Sequence, residues 1–151
     1  MGLRRTLADS EGVERFGEKN INRLLTEMQQ WSLGNCYEQR AAAAALCEPV
    51  LLKEKQVVEK ILKTLDTITA SILEKKDRKA EAFKSLKKGL GYCWSVAIAA
   101  CPEIGKCYFE KWLAIKDESI GWILKENIKK ARLERMDSAW VNQMQHHLGI
   151  K

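Results

Sequence analysis

Residues 40–49 read RAAAAALCEP, and residues 94–102 read WSVAIAACP; aligned on Cys47 and Cys101, the two segments lie 54 positions apart. Both are dense in alanine, the strongest helix former. Both reach a proline within two residues of the cysteine, and a proline pushes the residue before it out of helical geometry. Each segment is therefore read as the end of a helix followed by a Pro turn. After the first turn, Val58, Ile61, Leu62, Leu65, Ile68 and Ile72 recur at steps of three and four between Glu54 and Lys76, the pattern of an amphipathic helix. The second segment closes a helix over Lys79–Cys101 that carries Phe83, Leu86, Leu90, Trp94 and Ala97. Beyond Pro102 the pattern resumes from Ile104 to Ile115 through Cys107, Tyr108 and Trp112.

Working outward, Ser119–Met136 places Ile120, Leu124, Ile128 and Ala131 on one side, and Asp137 with the three residues after it reads as the cap of a last helix running through Leu148. Upstream, Val13–Trp31 forms a further helix through Phe16, Ile21, Leu24, Leu25 and Met28, closed by Gly34. The spacing thus predicts about seven helices and no strand. A chain of 151 residues with only 2 Pro and 9 Gly has little of the turn chemistry that a many-stranded sandwich or barrel needs. The length suits one domain over 1–151 and excludes a large multidomain enzyme. Helix pairs repeating at about 50 residues, approximately 13–47, 53–101 and 104–148, predict a short right-handed α-α superhelix of the HEAT or armadillo kind, in which each pair buries its apolar side against its neighbours. A compact helical bundle is the competing arrangement.

The stretches EQRAAAAALCEPVLL (38–52), LKKGLGYCWSVAIAACPEIGKCYFEKWL (86–113) and IGWILKENIKKARLERMD (120–137) resemble bacterial HEAT-like repeat proteins, whose nearest enzymatic relatives are the HEAT-like alkylpurine DNA glycosylases of DNA alkylation repair. The likeness covers roughly residues 35–140. Within it, Trp122, Leu124, Asn127 and Lys130 resemble the helix pattern of that group's wild-card repeats. The resemblance implies a solenoid and, more weakly, a role on DNA. No residue matches the glycosylases' catalytic aspartate with its flanking tryptophans, so no catalytic assignment is carried over.

The net charge of +6 is unevenly distributed: positions 1–75 hold 11 basic and 11 acidic residues, and positions 76–151 hold 15 basic and 9 acidic. A one-sided basic surface attracts nucleic acid, acidic proteins or anionic membranes. The alternative is a solvated lysine-rich helical surface. Five cysteines at 36, 47, 93, 101 and 107 show no zinc-ligand spacing and read as small buried hydrophobes of a reducing compartment. MGLRRTLADSEG has no apolar segment after its arginines, which argues against a secretory signal, and the longest apolar run, Ala41–Cys47, is far shorter than the ~20 residues a spanning helix needs. The expectation is a cytoplasmic protein without a membrane partner.

Lys125, Lys129 and Arg132 fall at steps of four and three on the helix that also carries Trp122, and form a basic stripe beside an aromatic that would hold phosphates without reading sequence. Against this, such a stripe is also what the water-facing side of an amphipathic helix looks like, with Trp122 covered by the last helix. Lys84, Lys87 and Lys88 extend the same field on the preceding long helix. Of the five tryptophans, Trp94 is singled out because it replaces Arg40 in the aligned repeat and lies near Gly91, where a missing side chain would leave an opening. Catalytic signals are thin. His146 and His147 are adjacent and point about 100° apart on a helix, and no phosphate loop, zinc helix or nucleophile elbow is present. The expected function is a non-enzymatic scaffold, without a cofactor, that takes a protein on Glu54–Lys76, Ile104–Ile115 and the last helix, or nucleic acid through its basic second half.

Overall fold

The computed structural model describes residues 10–150, with side chains from Asn20 onward. The reading of the first nine residues and the placing of Phe16 lie outside the described part. The fold is all-α: α1 (Ser10–Trp31), α2 (Cys36–Leu46), a 3-10 turn (Pro49–Lys53), α3 (Lys55–Ile72), α4 (Glu81–Ala100), α5 (Pro102–Leu113), α6 (Glu118–Ile128), α7 (Ala131–Met136) and α8 (Ser138–His147). Among the described residues there is no strand, and no helix is long and apolar enough to cross a membrane.

Local chemistry sets most boundaries. The side chain of Asn35 accepts from the Glu38 backbone N–H at 2.9 Å while Glu38 Oε1 accepts from the Asn35 N–H at 2.8 Å, a reciprocal cap that starts α2. Pro49 opens the 3-10 turn, and Pro102 stands in the first turn of α5, where its missing N–H removes no helical bond. Asp117 caps α6 and Asp137 caps α8, the latter through the Trp140 N–H at 3.0 Å.

The helices pack around α4. α4 lies between α2 and α6, while α3 contacts both α1 and α5 and backs onto α4. Every apolar position of the α3 pattern, from Val58 to Ile72, is buried. Ala42 and Ala43 are fully buried, and their small side chains suit the close packing of α2 on α4. At the α4–α5 corner a Cβ on Gly105 would stand 2.6 Å from Ile98 Cα, so the two helices meet backbone to backbone.

One expected helix is two. Instead of running to Met136, α6 ends at Ile128 and Lys130 is extended, at φ −70° and ψ 133°, before α7 begins. The turn lays α7 against α4 and buries Leu133, so the chain has eight α-helices among the described residues rather than about seven.

Candidate polyanion-binding face

The site is built on α4, whose sequence sets Lys84, Lys88 and Tyr92 at steps of four and so on one stripe. From α2, Arg40 reaches the same stripe, and from α6 Trp122 lies along its other side. Arg40, Glu81, Lys84, Ser85, Lys87, Lys88 and Trp122 line one open groove of about 660 Å³. Four cations share it with a single carboxylate, Glu81, which stands 3.7 Å from Lys84 in a pair exposed to water on both sides. Such a pair holds little energy and leaves the groove positive. Lys87 Nζ sits 4.8 Å above the centre of the Trp122 ring, close enough for cation–π attraction.

A second groove of about 490 Å³ shares Arg40 and Lys88 with the first and continues over Cys47, Cys93 and Tyr92, with the Glu48 carboxylate as its one acidic lining residue. Beyond it the Arg132 guanidinium lies 4.8 Å over the Tyr92 ring and donates to Ser95 Oγ at 2.9 Å. Tyr92 is 48% exposed, and Lys130 Nζ approaches the same ring at 5.9 Å. A basic, aromatic-lined surface thus runs from Arg40 through Lys88 and Tyr92 to Arg132.

The sequence-predicted residues divide. Lys84, Lys87, Lys88 and Trp122 meet in one groove, and Arg132 lies beyond the second. Lys125 and Lys129 do not join them: both are exposed, neither lines the grooves, and Lys129 is held by Glu126 at 2.9 Å. The shared face expected for Lys125, Lys129 and Arg132 is broken by the turn at Lys129–Lys130. Trp94 is also corrected. It is 2% exposed, and its indole N–H donates to Thr69 Oγ1 on α3 at 2.9 Å, which makes it part of the core. The space over Gly91 is filled by Trp122, whose ring would stand 3.0 Å from a Cβ placed there. Trp122 is half-buried against α4, not under the last helix.

Sequence reasoning missed Arg40, Tyr92 and Lys130. The step of four from Lys88 to Tyr92 was a usable signal, whereas nothing local to Arg40 announces that α2 packs beside α4.

The face made by α3, α5 and α8 is different in kind. Asp66 accepts from both Lys111 Nζ at 2.6 Å and the Trp112 indole N–H at 2.8 Å, Glu110 accepts from the Trp140 indole N–H at 2.9 Å, and Lys106 is paired with Asp137. These side chains are engaged with one another across the helices. His146 and His147 are exposed at the end of α8, and among the described residues no three potential metal ligands cluster. Comparisons with protein-family models, curated proteins and solved structures find no match for the chain.

Proposed function

We propose that the protein is a non-enzymatic helical-repeat scaffold that holds nucleic acid along the α2–α4–α7 face. The observation that carries the reading is the convergence of Arg40, Lys84, Lys87 and Lys88 on one groove beside Trp122. Cations on neighbouring helices neutralise successive phosphates and release their counterions, which gives affinity without base readout. Tyr92 and Trp122 add aromatic surface of the kind on which bases stack.

A short solenoid of the HEAT or armadillo kind is the proposed architecture. It is supported by the matched Cys–Pro ends of α2 and α4 and by the order of packing, α2–α4–α6 in one row and α1–α3–α5 in the other. DNA is the favoured nucleic acid because three stretches within residues 38–137 resemble HEAT-like proteins of alkylation repair. A cytoplasmic setting is supported by the cysteines, all five of which are free thiols and three of which are buried.

Titration of a labelled 20-base-pair duplex at 50 and 200 mM salt tests the function. Neutralising four phosphates makes affinity fall by roughly a hundredfold between those two conditions. Absence of binding at 50 mM, or binding indifferent to salt, overturns the proposal.

A further inference from the structure

The floor of the smaller groove holds two thiols on different helices. Cys47 ends α2 and Cys93 lies in the middle of α4, 46 positions away. The Cys47 thiol donates to the Cys93 backbone oxygen at 3.4 Å, which sets its sulfur against the residue that carries the second thiol. Both residues are buried, yet both line the groove that opens between Arg40, Lys88 and Tyr92.

The pair is asymmetric. Its contact with Cys93, and then burial, push the Cys47 thiol up, so Cys47 keeps its proton. The neighbouring Cys47 thiol draws Cys93 down against the effect of burial, and the nearby Arg40 charge acts in the same direction. A lowered pKa favours the thiolate, which is the nucleophilic form of cysteine. The other three cysteines lack this arrangement: Cys101 is buried, Cys36 half-buried and Cys107 exposed, and among the described contacts none of their thiols is hydrogen-bonded to another cysteine.

We propose that Cys47 and Cys93 form an oxidisable dithiol, a modification site at which a hydroperoxide entering the groove converts the two thiols into a disulfide joining α2 to α4. In the first step the Cys93 thiolate attacks the peroxide: an S–O bond forms, the O–O bond breaks, and the departing hydroxide or alkoxide takes a proton to leave as water or alcohol. In the second step Cys47 gives up its proton and attacks the sulfenic sulfur of Cys93. The S–S bond forms, the S–O bond breaks, and hydroxide leaves with that proton as water. The two thiols lose two electrons and the peroxide gains them.

The test uses the reduced full-length chain treated with a few equivalents of hydrogen peroxide, then denatured, alkylated, digested without reductant and mapped by mass spectrometry. The expected product is a Cys47–Cys93 linked peptide that disappears on addition of dithiothreitol, together with a rise of about 10 °C in Tm from closing the intervening chain into a loop. Cys47→Ser leaves Cys93 without its resolving partner, and dimedone then traps a sulfenic acid at Cys93. Cys93→Ser leaves Cys47 unmodified. Recovery of both Cys47 and Cys93 as alkylated thiols from the wild-type chain, with oxidation confined to Cys36 or Cys107, overturns the proposal, and this wild-type map is decisive whether or not the variants fold. The readout does not depend on nucleic-acid binding.

Discussion

Arg78 Nη1 stands 2.9 Å from Asp117 Oδ1, and this contact joins the loop after α3 to the start of α6. The same guanidinium donates to the Ile72 carbonyl at 2.8 Å and to the Lys75 carbonyl at 3.2 Å, so it caps the end of α3 as it holds the cap of α6. Asp117 Oδ1 also accepts from the Ser119 and Ile120 N–H groups, which makes it the centre of three bonds.

All three bonds favour the ionised carboxylate, and the Arg78 hydrogen bond is the largest reason that Asp117 titrates below the ordinary aspartate range. A carboxylate whose pKa is depressed by folding adds stability above its unfolded pKa of about 3.9 and loses that stability as pH falls through the folded value. Arg78→Ala is expected to cost about 1–3 kcal/mol at pH 7, because a partly buried carboxylate and the carbonyls of Ile72 and Lys75 lose their donor. Urea melts from pH 7 to pH 2 check both points: the variant starts lower and loses less on acidification than the wild type. Parallel acid limbs for the two proteins would refute the assignment.

Asn127 is fully buried and ties α6 to α4 through its amide. Its Nδ2 donates to the Leu90 carbonyl at 2.9 Å and to the Ile123 carbonyl at 2.7 Å, while its Oδ1 accepts from the Ser95 N–H at 2.8 Å. Asn127→Ala deletes these bonds and leaves a void beside backbone groups of α4, at a cost of about 2–4 kcal/mol. Asn127→Asp keeps the shape but replaces the two donated bonds with carbonyl–carboxylate repulsion, so it is expected to be at least as damaging. Chemical denaturation of both variants measures the difference.

Two glycines separate steric need from helix propensity. Gly121 in α6 has nothing beyond its own helix backbone within 4 Å of where a Cβ would stand, so Gly121→Ala is expected to stabilise by about 0.5–1 kcal/mol. Gly105→Ala gains the same propensity but drives its methyl against the Ile98 backbone, which no side-chain rotation relieves, and is expected to destabilise by about 1–3 kcal/mol net. Thermal melts of the two variants should shift in opposite directions.

Helix identity was legible because burial and spacing coincide. Leu65 is fully buried at the middle of the α3 pattern, and Leu65→Ala is expected to cost about 2–5 kcal/mol in a denaturant titration. Both prolines mark the inter-helix turns that their chemistry requires. The break at Lys130 was not legible. No glycine or proline stands there, and what holds the turn is tertiary: Asn127 is tied to α4, Leu133 is buried and Arg132 reaches Ser95. Trp94 was misplaced for the same reason, since its satisfied N–H depends on Thr69, which lies 25 positions earlier on another helix. Spacing along one helix finds a stripe, but which helix faces that stripe is decided by packing between elements.

The same distinction gives the binding reading its sharpest check. Lys88 and Lys125 are both exposed lysines, and they look equivalent in a one-dimensional reading of the basic second half. Lys88 lines both grooves beside Arg40, whereas Lys125 lines neither. If phosphates follow the grooves, Lys88→Ala removes one neutralised phosphate and reduces the magnitude of the log–log salt slope by about 0.9, whereas Lys125→Ala leaves the slope unchanged. A field produced by net charge alone treats the two substitutions alike, because each removes one positive charge from the same half of the chain. Salt-dependent titrations of the two variants against the same duplex therefore distinguish a located site from a diffuse one, and equal losses at Lys88 and Lys125 would refute the groove.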